Sequence, residues 1–189
     1  GCSSSKIVTL QAQPGIEGVA EICAGETTVL DFGGVTYSGS WSISPTDGSV
    51  ASINSTTGAL TGSSVGSSTA ATVTFTATDG WVSTKQITVN PKPVLTATSS
   101  IVANGSGQVE VCSGGTLDLT ATSSVTLNND GFVWKDPSGT ILTSVTELEP
   151  SVYGNYTLNG ISEDGCAADQ ASVNIVQGAV VSIVGDATI

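Results

Sequence analysis

The sequence predicts an all-β protein that is built from tandem β-sandwich domains. Several segments alternate apolar residues with small polar residues and are rich in Thr and Val, as strands with one buried face are. These segments are residues 27–32, 71–78, 85–90, 116–122, 154–159 and 171–176. Asp-Gly and Asn-Gly pairs, which favour tight turns, separate them, and no apolar pattern of helical period lasts beyond one turn. About a dozen short strands at this spacing are typical of β-sandwiches.

An internal repeat divides the chain into two similar halves. Residues 23–90 begin with CAGETTVLDF, and residues 112–176 begin with CSGGTLDLTA. Each half then places a Trp, a Pro and a Gly in the same order, and each ends with an Asp-Gly turn and a last strand. We therefore predict two homologous domains, connected by the Pro-containing segment 90–94.

The two ends of the chain also resemble each other. Residues 1–22 and residues 165–189 both start with Gly-Cys and continue through a strand-like segment and a Gly-containing joint to a short acidic segment. We therefore interpret the chain as a slice of a tandem array. The expected organisation is the last strand of a preceding repeat at 1–13, domains at 14–91 and 92–178, and the first strand of a following repeat at 179–189. The alternative is a lipoprotein, because Gly-Cys before a Ser-rich stretch is also typical of the mature start of bacterial lipoproteins.

The chain is strongly acidic, with sixteen Asp and Glu residues against four Lys and no Arg. The net charge at pH 7 is -12, and such a surface repels nucleic acid and anionic membranes. No apolar run approaches the roughly 18 residues that a membrane-spanning helix needs. We therefore expect no nucleic-acid partner and no membrane insertion of this segment.

Residue types that many catalytic sites need are missing. The chain has no His, which excludes Ser-His-Asp and Cys-His sites and imidazole metal ligands, and its four Cys form no C-x-x-C pair. Two carboxylate pairs remain, Glu147 with Glu149 and Glu163 with Asp164. Paired carboxylates can hydrolyse glycosides, but these pairs fall on predicted strand edges or turns, where solvated acids are expected. The sequence predicts a protein that is not an enzyme, with no catalytic residue and no cofactor.

Calcium binding is a weaker hypothesis that depends on one oxygen-rich stretch. Asn128 and Asp130, together with Asp136, offer the amide and carboxylate oxygens that hard cations prefer. The D-x-D-x-D-G spacing of calcium loops is absent. We therefore expect plain turns at these residues, with calcium as the alternative.

Four aromatic residues stand out by their place in the repeats. Trp41 and Trp134 fall where a sandwich strand turns inward, so we expect both in the cores. Tyr156, in GNYT, is placed to form a tyrosine corner. Trp81 occupies the turn position that Cys2 and Cys166 occupy in their repeats. We expect Trp81 to pack in a joint between domains, with an exposed contact residue as the alternative.

The stretch WSISPTDGSVASINSTTGALTGSSVGSSTAATVTFTATDG at 41–80 resembles the bacterial immunoglobulin-like domains of intimin and invasin. In that family a Trp strand leads to V-A-S-I-N, then T-G-x-L-T-G, then a Thr- and Val-rich strand. The second half is similar to the Cys-containing immunoglobulin-like or PKD-like repeats of giant surface adhesins of gliding bacteria, in which CSGG, W-x-x-P-x-G, G-x-Y-T and D-G-C recur. The resemblance implies immunoglobulin-like sandwiches, export to the bacterial cell surface and an adhesive or spacer role.

The four Cys of an exported β protein imply disulfides. Sequence proximity within the second domain suggests Cys112 with Cys166. In an immunoglobulin-like sandwich, however, strand polarity places these two residues about 20 Å apart at roughly 3.3 Å per strand residue, whereas a disulfide needs Cα atoms within about 7 Å. The same polarity brings Cys166 close to Cys23 of the first domain. Polarity therefore favours a bond that clasps adjacent domains, and the bond within the second domain stays open.

Two functions of different classes follow from these observations. The first is a structural one, in which the domains and their neighbouring repeats form the stalk of a surface adhesin. The second is a module that binds a carbohydrate or a surface protein directly, for which an exposed aromatic platform would be required. The chain has only nine Phe, Trp and Tyr residues, most of them on predicted strands, which favours the stalk. An accessory region of a large secreted hydrolase is a third possibility.

Overall fold

The computed structural model describes residues 13–142 and 146–179. All regular secondary structure in these residues is β, so the predicted fold class is confirmed. The chain divides into two compact units, Gly1–Pro91 and Lys92–Ile189. The terminal strands that the sequence predicts for neighbouring repeats lie almost entirely outside the described residues, as does Cys2.

The first unit is a sandwich of two sheets. Its strands are β1 (Glu21–Cys23), β2 (Thr27–Val29), β3 (Gly39–Ser44), β4 (Ala51–Ile53), β5 (Ala59–Gly62), β6 (Thr69–Ala77) and β7 (Val82–Asn90). One sheet has the order β1-β7-β6-β3 and the other has the order β2-β5-β4. Strand β1 runs parallel to β7, the last strand of the unit, whereas the other pairs are antiparallel.

The second unit repeats the plan of the four-stranded sheet, and its three-stranded sheet includes an additional first strand. Its strands are β8 (Leu95–Ser99), β9 (Gln108–Val111), β10 (Leu119–Ser123), β11 (Val133–Lys135), β12 (Glu147–Leu148), β13 (Gly154–Asn159) and β14 (Ala171–Gln177). The sheets have the orders β11-β13-β14-β9 and β12-β10-β8. Strand β9 is parallel to the last strand, β14, as β1 is to β7. Both units therefore have the topology of an immunoglobulin-like sandwich.

The alternating pattern of the sequence forms the core of each unit. In β6, Val73 and Phe75 are buried, whereas the alternating Thr72 and Thr74 are not fully covered, because successive side chains of a strand point to opposite faces. Trp41 lies in the first core with 7% of its surface exposed. Trp134 lies in the second core and is fully buried.

The VASIN and TGALTG motifs form a tight turn between β4 and β5. The side-chain oxygen of Asn54 accepts hydrogen bonds from the backbone N–H groups of Thr56 and Thr57. Gly58 follows with a φ of 72°, and a Cβ there would lie 2.7 Å from the carbonyl oxygen of Leu30. Only glycine fits this close and left-handed position, which accounts for the first Gly of the second motif.

Candidate functional site

The position of each described cysteine is given by the end of the unit at which it lies. We call the end at which the last strand finishes the exit pole, marked by Asn90 in the first unit and Gln177 in the second. The opposite end, at which the last strand begins, is the entry pole. In the second unit, Lys92 and Asp169 form an ion pair of 2.6 Å, which brings the start of the unit beside the stretch that precedes β14.

Cys23 lies at the exit pole of the first unit. It is the last residue of β1 and is the register partner of Asn90, and the N–H of Ala24 donates to the Asn90 carbonyl at 2.9 Å. A turn follows, in which the N–H of Glu26 donates to the Cys23 carbonyl at 3.0 Å. A Cβ on Gly62, the last residue of TGALTG, would lie 2.8 Å from the carbonyl oxygen of Cys23. The absence of a side chain at Gly62 therefore allows β5 to pack closely against the backbone of Cys23. Cys23 is disulfide-bonded.

Cys166 lies at the entry pole of the second unit, in the turn before β14. The N–H of Ser162 donates to the Cys166 carbonyl at 2.9 Å, and the Ser162 hydroxyl accepts from the Cys166 N–H at 3.0 Å. Gly165 supplies the positive φ of 83° that this turn requires. Cys166 is completely buried and is disulfide-bonded.

Cys112 is an exposed free thiol at the exit pole of the second unit. It follows Val111, which pairs with Gln177 and accepts a hydrogen bond from the N–H of Gly178 at 2.9 Å. Cys112 and Cys166 are thus at opposite ends of β14, a strand of 7 residues, and such a strand spans about 20 Å. The alternative of a Cys112–Cys166 bond is wrong, because the strand separates the two thiols beyond the reach of a disulfide.

Trp81 packs against the aromatic core of its own unit. Its ring centroid lies 5.6 Å from Phe32, 5.3 Å from Tyr37 and 5.4 Å from Phe75. The hairpin turn between β6 and β7 folds the residue back, since the N–H of Ala77 donates to the Trp81 carbonyl at 2.9 Å. Rings of its own unit hold Trp81 at the entry pole, and a place in a joint with a preceding domain stays a prediction.

Sequence reasoning missed Phe32 and Tyr37, the two partners of Trp81 that lie outside strands. Tyr37 is 37% exposed and borders a shallow cavity of about 160 Å³. The DFGGVTY stretch contains both aromatics, but its two glycines interrupt any strand pattern. Phe32 ends the alternating segment 27–32, but no periodicity extends to Tyr37, so only the folded loop brings the two rings together.

Tyr156 forms a corner with the backbone that precedes its strand. Its hydroxyl donates to the Val152 carbonyl at 3.1 Å and accepts from the Val152 N–H at 3.3 Å. The side chain is fully buried near the start of β13. This is the arrangement by which a tyrosine corner pins a loop to an immunoglobulin-like sandwich.

Replacing Tyr156 with phenylalanine is expected to lower the free energy of unfolding of the second unit by about 1–3 kcal/mol, because two backbone groups lose their partner. Hydrogen-exchange mass spectrometry across a denaturant series reports this unit separately. Tyr153→Phe is the matched control, since Tyr153 is 45% exposed, and it should leave the stability unchanged. Equal effects of the two substitutions would contradict the corner.

The three calcium candidates each belong to a turn. The Asp136 carboxylate accepts hydrogen bonds from the hydroxyl and N–H of Ser138 and from the N–H of Thr140. These bonds, with that of the Ser138 side chain the strongest cause, lower the pKa of Asp136. Asn128 accepts from the N–H of Asp130. Within residues 13–142 and 146–179, no three His, Cys, Asp or Glu side chains are grouped to hold a metal ion.

The other acidic groups of interest are at the surface. The two carboxylate pairs that glycoside chemistry would need are all exposed; they are Glu147, Glu149, Glu163 and Asp164. The pKa of Asp47 is lowered by hydrogen bonds from Ser49, first by that of its side chain. Among the described residues, no helix is long and apolar enough to cross a membrane.

Known proteins offer comparisons of structure. No family model and no curated protein sequence matches the chain. It is similar to the Bacteroides ovatus glucan-utilization protein SGBP-B, solved with a mixed-linkage heptasaccharide, at 15% identity and a TM-score of 0.30, over 87% of this chain and 46% of that one. It is also similar to the fibronectin(III)-like modules of Clostridium thermocellum CbhA, at 17% identity and a TM-score of 0.32, over 88% of this chain and 94% of that one.

A bacterial ice-binding adhesin of 1.5 MDa is similar at 13% identity and a TM-score of 0.30, over 88% of this chain and 64% of that one. The chain therefore spans less than two thirds of both the adhesin structure and SGBP-B. Likenesses of this degree concern the fold and carry no argument about ligands.

Proposed function

We propose that this chain is a non-catalytic segment of a tandem-repeat adhesin at the bacterial cell surface, and that its two domains act as consecutive stiff units of a stalk. The intimin- and PKD-like sequence motifs support the assignment to adhesins. The observation that carries the stalk role is the state of two cysteines. Cys23 at an exit pole and Cys166 at an entry pole are both disulfide-bonded.

The identity of the bond follows from counting. The chain has four Cys, and Cys112 is free. Cys2 can bond with only one of Cys23 and Cys166, so a bond between Cys23 and Cys166 is the pairing that leaves both oxidised. This pairing is the one that strand polarity favours. We call the proposed bond between Cys23 and Cys166 the clasp.

Such a bond changes how two linked domains move. A peptide linker alone is a single connection, about which one domain can rotate relative to the next. A disulfide between the exit pole of one unit and the entry pole of the next adds a second connection, and two connections at separate points restrict rotation. The ring of Pro91 limits the backbone of the linker as well. The expected product is an extended and torsionally stiff pair of domains.

The surface chemistry favours this role over direct ligand binding. An aromatic platform for a carbohydrate needs rings with free faces, but Trp81 and Phe75 pack against other rings of the first unit. Tyr37 is the most exposed member of that cluster. The exposed carboxylates keep a stalk soluble.

Peptide mapping of the oxidised chain tests the proposal. Trypsin cuts after lysine, and Lys6, Lys85 and Lys135 place the four Cys on four different peptides. We expect one linked pair under non-reducing conditions, joining the peptide of Cys23 to that of Cys166, with Cys112 recovered as an alkylated thiol. A linked pair that contains Cys2 would contradict the clasp.

A further inference from the structure

Cys112 occupies the same position in the second unit as Cys23 does in the first. Cys23 is the last residue of the strand that runs parallel to the last strand of its unit, and Cys112 directly follows the corresponding strand of the second unit. Both are followed by a turn in which a backbone N–H three residues later donates to the cysteine carbonyl, at 3.0 Å from Glu26 and 2.9 Å from Gly115. Gly25 and Gly114 hold these turns with φ values of 83° and 79°. The two thiols are therefore presented by the same backbone frame at the exit pole.

The state of the two thiols differs. Cys23 is disulfide-bonded, so a cysteine in this frame takes a thiol partner. Cys112 has the same frame and is exposed and free. The chain also contains a second thiol of the kind that could pair with an exit-pole cysteine. The Gly-Cys pair of the entry-pole turn at Cys166 recurs in the sequence at Gly1-Cys2. The sequence thus carries two exit-pole cysteines and two Gly-Cys pairs of the kind that we propose to join them.

We propose that Cys112 is a covalent docking position, which forms a disulfide with the Gly-Cys turn of a following repeat of the same kind. This inference rests on the stalk proposed above and extends it: a joint of the array is closed wherever an exit-pole cysteine meets an entry-pole cysteine. Repeats that lack one of the pair, as the first unit does with Trp81 at the entry pole, mark joints that stay hinged.

The chemistry is a two-electron oxidation by a disulfide such as oxidised glutathione. The Cys112 thiolate attacks oxidised glutathione and forms a mixed disulfide, releasing one reduced glutathione. The thiolate of the Gly-Cys turn then attacks the Cys112 sulfur and displaces the second glutathione. Two thiols lose two protons and two electrons, and one oxidised glutathione becomes two reduced molecules.

An extended protein tests the inference. Residues 1–178 are followed directly by a second copy of residues 92–189, and Cys112→Ser is introduced in the second copy only. Cys2→Ser, introduced in every protein compared, removes the other Gly-Cys thiol as a competing partner of Cys112. Tryptic peptides then distinguish Cys112 of the first copy from Cys166 of either copy, because the fused copy boundary gives the first Cys166 peptide its own mass.

After oxidation with glutathione, we expect Cys112 of the first copy to be linked to Cys166 of the second. The fraction of Cys112 that alkylates should fall at least about tenfold compared with the unextended chain, because the tethered turn is at a high effective concentration. If the Cys23–Cys166 pair forms but Cys112 alkylates equally in both proteins, the inference is wrong although the stalk proposal survives. If the Cys23–Cys166 pair fails to form, the stalk proposal fails. In that case, a linked peptide of Cys112 of the first copy and Cys166 of the second still supports the inference, and its absence contradicts it.

A relocated thiol provides the matched control. Cys112→Ser combined with Ser106→Cys in the first copy of the extended protein moves an exposed thiol to the turn before β9, at the opposite end of that strand. This thiol should stay free, because it faces the entry pole. Linkage of the relocated thiol to the second copy at the same yield would show that tethering alone drives the bond and would overturn the inference.

Discussion

Trp134→Ala is expected to lower the free energy of unfolding of the second unit by about 3–5 kcal/mol, the cost of removing a buried tryptophan side chain. Trp134 is fully buried in β11, whose backbone pairs with β13 at Leu158 and accepts the N–H of Leu142. A domain of this size has a total stability of about 5–15 kcal/mol. The substitution should therefore remove a large fraction of the stability of the second unit.

Hydrogen exchange across a urea series measures this loss for each unit. Trp134→Phe keeps a ring in the cavity and should recover part of the stability. Trp81→Ala, which removes a half-buried ring of the first unit, should leave the second unit unaffected. A loss below 1 kcal/mol for Trp134→Ala would mean that the core collapses around the cavity far better than its packing suggests.

Removal of the proposed Cys23–Cys166 bond is the second change for which we expect a large loss of stability. In the protein with Cys23→Ser and Cys166→Ser, both units should still fold, because each has its own core. The chain-entropy account assigns about 4–5 kcal/mol to a bond that closes a loop of more than a hundred residues. Thermal unfolding should accordingly begin at a lower temperature than in the oxidised chain, and reduction of the native protein should reproduce the shift.

Force-extension measurements separate the clasp from general stability. About 140 residues lie between the two cysteines, and they span about 480 Å when fully extended. A clasped chain that is pulled from its ends cannot release this length, whereas the double serine variant releases it when the units unfold. Cys112→Ser removes a free thiol and should behave like the native chain. Full-length release from the oxidised native chain would contradict the clasp.

Sequence reasoning reached the fold because its signals are local. Thr- and Val-rich alternation marks strands such as β6 wherever they lie in the molecule, and the repeat of CAGE and CSGG predicts two units of one plan. Polarity arguments also favoured the Cys23–Cys166 bond over a Cys112–Cys166 bond, since they need only strand direction and length.

Local sequence signals could not predict the side-chain contacts of Trp81 at the entry pole of the first unit. Trp81 was assigned to a joint because it aligns with Cys166, yet alignment gives a position in the turn and not the direction of the side chain. That direction depends on Phe32 and Tyr37, which reach Trp81 from a glycine-containing loop. Contacts between a hairpin turn and a distant loop leave no periodic trace in a sequence.

The parallel pairing of β1 with β7 has a consequence for how each unit bears load. When the Cys23–Cys166 bond is reduced, tension that enters through the start of β1 and leaves through the end of β7 draws the two strands past each other along their length. The hydrogen bonds at Glu21, Ile22 and Cys23 then resist together in shear, instead of opening one at a time as in an unzipping hairpin. Strand β9 meets β14 in the same parallel geometry, so the second unit has a comparable lock, which takes load after β8 and its pairing with β10.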